Sequence, residues 1–122
     1  MNEIVETANV WTDRVNAKDV EGVLEVSDSN IELIGPRGSA AGHETLAQWV
    51  EKTGIHLTTV SRYVKGDKVV YEQRGVWENQ DGEVTVYTLM EIREGKVTRL
   101  ARFDALDDAF GTSGLSEEDK ME

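Results

Sequence analysis

The 122 residues contain no cysteine and only two histidines, and no apolar run is long enough to span a bilayer. Without cysteine there is no disulfide framework, no thiolate nucleophile and no cysteine metal site. The opening segment MNEIVETANVW lacks both a basic region and a long apolar run, so it does not read as a secretory leader. Basic residues are outnumbered 13 to 24 by acidic ones, and the resulting net charge of −11 repels phosphate backbones and anionic lipid surfaces. Nucleic-acid and membrane binding are therefore not expected, and the acidity reads as a solubilising surface. The expected setting is the cytoplasm.

The 39% of hydrophobic residues suffices for one core in a chain of this length. A single domain is expected over 1–115, with the charged segment 116–122 a flexible C-terminal tail. Ile4, Ala8, Trp11 and Val15 recur at helical spacing, which predicts an amphipathic helix from Asn2 to Ala17. Asp19 can cap a short second helix through Val26, and Ser27-Asp28-Ser29-Asn30 reads as a turn into a strand from Ile31 to Ile34. The glycine-rich stretch GPRGSAAG has neither the Gly-Lys-Ser/Thr ending of a phosphate loop nor the dinucleotide spacing, and is expected as an irregular connection. A third helix is predicted over His43 to Thr53, with Leu46, Trp49 and Val50 inward and Gly54 as its stop. His43-Glu44 lacks the second histidine of a helical zinc motif, so no metal site is expected there. Leu106 to Phe110 is expected as a helical turn or two capped by Asp104 or Asp107.

From Ile55 the pattern is all strand: Ile55 to Lys65, Lys68 to Glu78, and a hairpin from Val84 to Asp104. A two-residue Asp81-Gly82 turn sets Trp77 beside Val86, Gly75 beside Thr88, Gln73 beside Met90 and Tyr71 beside Ile92. In the hairpin, a three-residue loop Arg93-Glu94-Gly95 puts only glycine in the left-handed region, whereas a two-residue turn would put Glu94 there as well. The three-residue loop is expected. It sets Ile92 beside Lys96, Thr88 beside Leu100, Val86 beside Arg102 and Val84 beside Asp104, so that Arg102 and Asp104 share the inward face.

Three helices followed by a strongly curved sheet make an α+β fold, the sheet wrapped around the long N-terminal helix and leaving a conical cavity. Arg102 and Asp104 are the candidate catalytic pair: Arg102 to orient an anionic or carbonyl oxygen, Asp104 to accept a proton or hydrogen bond. Their plainer roles are an internal ion pair or, for Asp104, helix capping. Trp11, Tyr71, Gln73, Trp77, Thr88 and Leu100 are the candidate ligand contacts, with core packing as the alternative for Trp11. The outer face, carrying Tyr87, Leu89, Val97, Ala101 and Phe103, calls for cover, which predicts a homodimer.

The stretch VWTDRVNAKDVEGVLEVSDSNIELIGPRGSAAGHETLAQWVE, with GDKVV, REGKVTRLARFD and DDAFGTSGLSE, resembles the SnoaL-like branch of the nuclear transport factor two superfamily over nearly the whole chain. The resemblance implies a cone-shaped, cystatin-like α+β barrel with an antiparallel or mixed sheet. That fold hosts isomerases, dehydratases, epoxide hydrolases, polyketide cyclases and non-catalytic binding or dimerising modules. Ketosteroid isomerases of the superfamily carry a base aspartate before the proline of a D-P-x-G loop, where this chain has Gly35. Their tyrosine donor falls on Trp11 and their interior acid on Thr88. The Asp-Arg-Asp set of the similar limonene epoxide hydrolase falls on Gly75, Gln73 and Arg102, so both acids are missing. A dehydratase-type histidine would be His43 or His56, each more simply structural. The resemblance therefore implies one of two functions, both without a cofactor. One is a lyase, isomerase or hydrolase acting on a small apolar carbonyl, epoxide or cyclic substrate; the other is a module that binds a small hydrophobic molecule or dimerises without chemistry.

Overall fold

A computed structural model describes residues 3–35, 38–78 and 81–121. Helix α1 (Glu3–Asn16) carries Glu3 and Glu6 in its first turn and Arg14 in its last, both signs matching the helix dipole. It buries Val5, Ala8, Trp11, Thr12 and Val15. Helix α2 (Val20–Glu25) starts where the Asp19 side chain accepts the Gly22 amide at 3.0 Å. Helix α3 (His43–Thr53) buries Leu46 and Val50 and ends on Gly54 at φ 56, a left-handed stop. No helix among the described residues is long and apolar enough to cross a membrane.

Six strands, β1 (Ser27–Gly35), β2 (Gly38–Ala41), β3 (Ile55–Lys65), β4 (Lys68–Trp77), β5 (Val84–Arg93) and β6 (Lys96–Phe103), form one mixed sheet in the order β2-β1-β6-β5-β4-β3. Among the described residues only β1 and β6 run parallel. Two of these strands correct the sequence reading. Ser27 to Asn30, expected as a turn, already belongs to β1: Ser27 pairs with Val97, and the Asn30 amide bonds the Asp28 carboxylate at 2.9 Å inside an irregular stretch of the ladder. The turn chemistry is present but is absorbed as a strand irregularity. The glycine-rich connection contributes β2, which pairs Gly35 with Gly38 and Glu32 with Ala41. Its residues are exposed, so an edge strand of small residues carries no hydrophobic alternation to reveal it. Pro36 and Arg37 of that connection lie outside the described residues.

The hairpin differs from expectation in a way that decides the site. Its turn is the two-residue Glu94-Gly95, with φ of 52 and 75, and Arg93 pairs with Lys96. Ile92 then pairs with Val97, and one extra residue, Thr98, is bulged out before Arg99 pairs with Glu91. The Thr98 hydroxyl donates to the Glu91 carbonyl at 3.1 Å. Beyond the bulge Met90 meets Leu100 and Thr88 meets Arg102. Val97 is thereby placed in the inner core rather than on the outer face, while Leu100 and Arg102 still point inward. A strand of strict period two cannot place Val97 and Leu100 on the same face; the bulge does.

The β4–β5 register also differs from the one a two-residue Asp81-Gly82 turn sets, and Gln80, expected opposite Glu83 across that turn, lies outside the described residues. Gly75 lies opposite Val84 instead of Thr88, and Gln73 opposite Val86 instead of Met90, a slide of four positions along β5. Because the slide is even, every side chain keeps its face, and the hydrophobic pattern alone does not distinguish the two registers.

Apolar residues gather on both faces of the sheet. Val5, Trp11, Ile31, Leu46, Val69 and Met90 are among those packed between the sheet and the first three helices. Tyr63, Val70, Leu89 and Ala101 pack on the other face with Ala109 of helix α4 (Leu106–Ser113) and with Leu115. Helix α4 is longer than expected and begins after Ala105 with no side-chain cap, so neither Asp104 nor Asp107 caps it. Within the segment expected as a flexible tail, Ser116 and Asp119 form a reciprocal cap around the short 3₁₀ turn Glu117–Asp119, and the Met121 amide bonds the Arg62 carbonyl at 2.8 Å.

Glu94 holds a left-handed conformation without being glycine. Replacing Glu94→Asn is expected to stabilise the fold by roughly 0.5–1 kcal/mol, since asparagine tolerates that conformation better. Urea denaturation followed by circular dichroism measures it, and an unchanged or lower midpoint would contradict the turn described.

Candidate functional site

Most of the residues expected to line a central cavity instead fill it. Tyr71 is fully buried; its hydroxyl lies 2.7 Å from Asn9 Oδ1, the Arg62 guanidinium sits 5.2 Å from its ring centre, and burial pushes the phenol pKa up to about 12. Gln73 and Thr88 are also closed to solvent and answer each other: the Thr88 hydroxyl donates to Gln73 Oε1 at 2.8 Å, and Gln73 Nε2 donates to Thr59 Oγ1 at 3.2 Å. Trp11 is buried with its indole N–H on Ser27 Oγ at 3.0 Å, and its ring stacks on Trp49 with centroids 6.2 Å apart. Trp77 packs against the inner cluster beside Gly75, where an added Cβ would meet the Trp77 ring at 3.2 Å. The polar groups in this central region are already bonded, and they hold β3, β4 and β5 to α1.

A mainly apolar recess of about 330 Å³ lies to one side, between α3 and the β2-β1-β6 end of the sheet. Strands β1 and β2 contribute Leu33, Ile34, Gly35 and Ala40 to its wall; α3 contributes Thr45 and Trp49, and β6 Leu100 and Arg102. Thr45 and Trp49 are one helical turn apart and so share a face. Of the residues predicted from sequence to meet a ligand, Leu100 and Arg102 are here. Leu33, Ile34, Gly35, Ala40 and Thr45 were not anticipated, and Trp49 was expected only as an inward helix residue. The i, i+4 pair Thr45 and Trp49 was the available signal; the strand residues depend on the parallel β1–β6 pairing, which has no local signature.

Arg102 is the chemical anomaly of the recess. Its guanidinium lies over Trp49, 5.4 Å from the ring centre. Nε and Nη2 are buried and have no hydrogen-bond partner among the described residues, and no carboxylate pairs with the side chain there. Burial lowers its pKa to about 10, which leaves it protonated at neutral pH. A charged donor left buried and unanswered costs on the order of 1–3 kcal/mol or more. The folded-state pKa lies below the ordinary 12.5, so this penalty operates throughout the neutral range and is relieved only as pH rises through the folded value.

Asp104 does not join it. The β5–β6 ladder ends at Tyr87 and Phe103, so the expected Val84–Asp104 pair does not form, and Asp104 is exposed in the bend before α4. The strand stops there because the chain turns to cover the outer cluster, and the expected acid–guanidinium pair is not assembled. His43 Nε2 lies 2.9 Å from the Ser27 carbonyl, a structural tie, and His56 is exposed on β3.

The fold and recess now stand beside known proteins. The SnoaL-like domain model matches residues 9–100. This chain belongs to the SnoaL-like family. An NTF2-like protein of unknown function from Cytophaga hutchinsonii superposes with a TM-score of 0.77 at 15% identity, covering 88% of this chain and 94% of that one. A computationally designed 17-OHP binder gives a TM-score of 0.75 at 18% identity over 88% of this chain and 94% of that one. TerC, co-crystallised with polyporic acid, gives 0.70 at 20% identity over 91% and 97%. At these identities the likeness establishes the NTF2-like fold. No curated protein sequence matches the SnoaL-like chain.

Because the unpaired guanidinium is a burden on this fold, Arg102→Met is expected to raise the unfolding free energy by about 1–3 kcal/mol. A urea titration at pH 7 checks this. A destabilised variant would mean that the contact with Trp49 outweighs the cost of the two unanswered nitrogens.

Proposed function

We propose that this SnoaL-like protein holds a small, mainly apolar molecule in the recess between α3, β1 and β6, with a carbonyl or anionic oxygen against Arg102. The observation that carries the reading is a half-buried guanidinium that lies over Trp49 with two buried nitrogens left without hydrogen-bond partners, in a wall that also holds Leu33, Ile34, Ala40, Thr45 and Leu100. Such a group is costly to the fold and useful to a ligand that answers it. Two structures of the same fold, the designed 17-OHP binder and TerC with polyporic acid, are of small-molecule complexes or binders by their own descriptions, which supports the reading.

An enzymatic role as a cofactor-independent lyase, isomerase or hydrolase is the second reading. Arg102 would then stabilise oxygen charge that develops on a carbonyl, epoxide or cyclic substrate. It ranks below binding because the described wall offers no carboxylate or histidine as proton acceptor, and Asp104 stands outside. We place the protein in the cytoplasm. We also infer that two copies pair through the outer face. Leu89 and Ala101 are already covered on the α4 side, so the interface falls toward β3 and β4, where Val60 and Val76 remain 45% and 42% exposed.

Thermal-shift and product assays on a panel of small ketones, epoxides and hydroxylated aromatics test the first two readings. Binding without turnover is expected in the wild type, with Asp104→Asn unchanged and binding at least tenfold weaker in Arg102→Met. Turnover lost in Asp104→Asn would restore the enzymatic reading, and binding that ignores Arg102→Met would remove the recess from consideration. For assembly, sedimentation should give a dimer in the wild type and a monomer in Val76→Glu; a monomeric wild type would refute pairing.

A further inference from the structure

Arg102 carries information about the shape of its ligand as well as the sign of its charge. The two nitrogens without partners, Nε and Nη2, lie along one edge of the planar guanidinium. That edge presents two parallel N–H groups, the spacing that the two oxygens of a carboxylate match. A ketone, an epoxide or an enolate brings one oxygen and would leave one of the two donors unanswered. A phosphate brings enough oxygens but also a second charge, and Arg102 is the only cation in the described wall. The rest of that wall is apolar apart from Thr45, and the volume of about 330 Å³ is at the small end for a ligand site. Trp49 supplies a flat surface beside the guanidinium.

Resting on the small-molecule reading above, we propose that the recess selects a compact apolar monocarboxylate, its carboxylate bound side-on to Nε and Nη2 of Arg102 and its body against Trp49 and Leu100. The edge in question is covered by protein in the present conformation. Side-on binding therefore requires a turn of the guanidinium on its flexible stem, away from the centre of the Trp49 ring, to bring that edge into the recess. Ligand binding and the environment of Trp49 are therefore coupled, and tryptophan emission should follow occupancy.

The test is a titration of the intact protein with phenylacetate and with its uncharged isostere phenylacetamide, by calorimetry and tryptophan fluorescence, in the wild type, Arg102→Lys and Arg102→Met. Lysine keeps the charge and loses the two-pronged edge. Phenylacetate is expected to bind the wild type at least tenfold more tightly than phenylacetamide, to weaken at least tenfold in Arg102→Lys, and to lose measurable binding in Arg102→Met. Wild-type emission should change on binding, whereas a Trp49→Phe variant should lose most of that change. Circular dichroism confirms that each variant is folded. Equal binding of acid and amide, or full binding in Arg102→Lys, would overturn the carboxylate assignment while leaving a small-molecule recess in place. If neither compound binds and the ketone, epoxide and hydroxylated-aromatic panel also fails, the small-molecule reading falls with it.

Discussion

One unpaired residue, Thr98, reconciles two demands on the hairpin that are out of step. The Glu94-Gly95 turn fixes the pairing of Arg93 with Lys96 and brings Val97 to the inner face with Ile92. The residues that follow need the opposite phase: Ala101 belongs with Leu89 in the outer cluster, and Leu100 with Met90 in the inner one. A continuous ladder would turn Leu100 and Arg102 outward and bring Ala101 and Phe103 in. The bulge, tied by the Thr98 hydroxyl to the Glu91 carbonyl, changes the phase once and satisfies both halves. Both clusters and the inward position of Arg102 follow from it.

With the phase set, the inner face divides into a solid part and an open part. The solid part is organised by polar groups that answer one another in the interior: Gln73 with Thr88 and Thr59, Tyr71 with Asn9, Trp11 with Ser27. A ligand entering there would have to break bonds already made, and would regain little. The open part is walled mainly by aliphatic residues and Trp49, and its one strongly polar group, Arg102, keeps two nitrogens without hydrogen-bond partners. A site is better recognised by where hydrogen-bonding capacity is left over than by where polar residues are concentrated.

Much of this was legible in the chain, and the misses have physical causes. Helix α3 and its Gly54 stop, strand β3, and the inward row of Val69, Tyr71, Gln73 and Gly75 follow from periodicity and turn chemistry. Arg102 was expected inward, but through a three-residue loop that the chain does not use; the actual turn gives the same facing because the bulge adds the missing residue. Sequence periodicity reports parity, so an even slip, such as the four positions between Thr88 and Val84 opposite Gly75, passes unnoticed. Among the candidate ligand contacts Leu100 lines the recess, whereas Trp11, Tyr71, Gln73 and Thr88 face inward and are packed; parity gives a facing and does not distinguish a cavity wall from a filled core. The edge strand β2, with every residue exposed, left no pattern at all.

The single parallel pairing in the sheet, β1 beside β6, joins Leu33 to Leu100 across most of the chain. Hairpins such as β3–β4 and β5–β6 close short loops and can form early, but this junction must close a loop that spans all of them. The recess has one wall on each side of that seam. It therefore has no counterpart in a partly folded chain in which the seam is still open, and a ligand held there is held by the completed topology alone. A ligand of the proposed kind would then draw on the global folding equilibrium, fastening the β2-β1 pair to β6 across that seam.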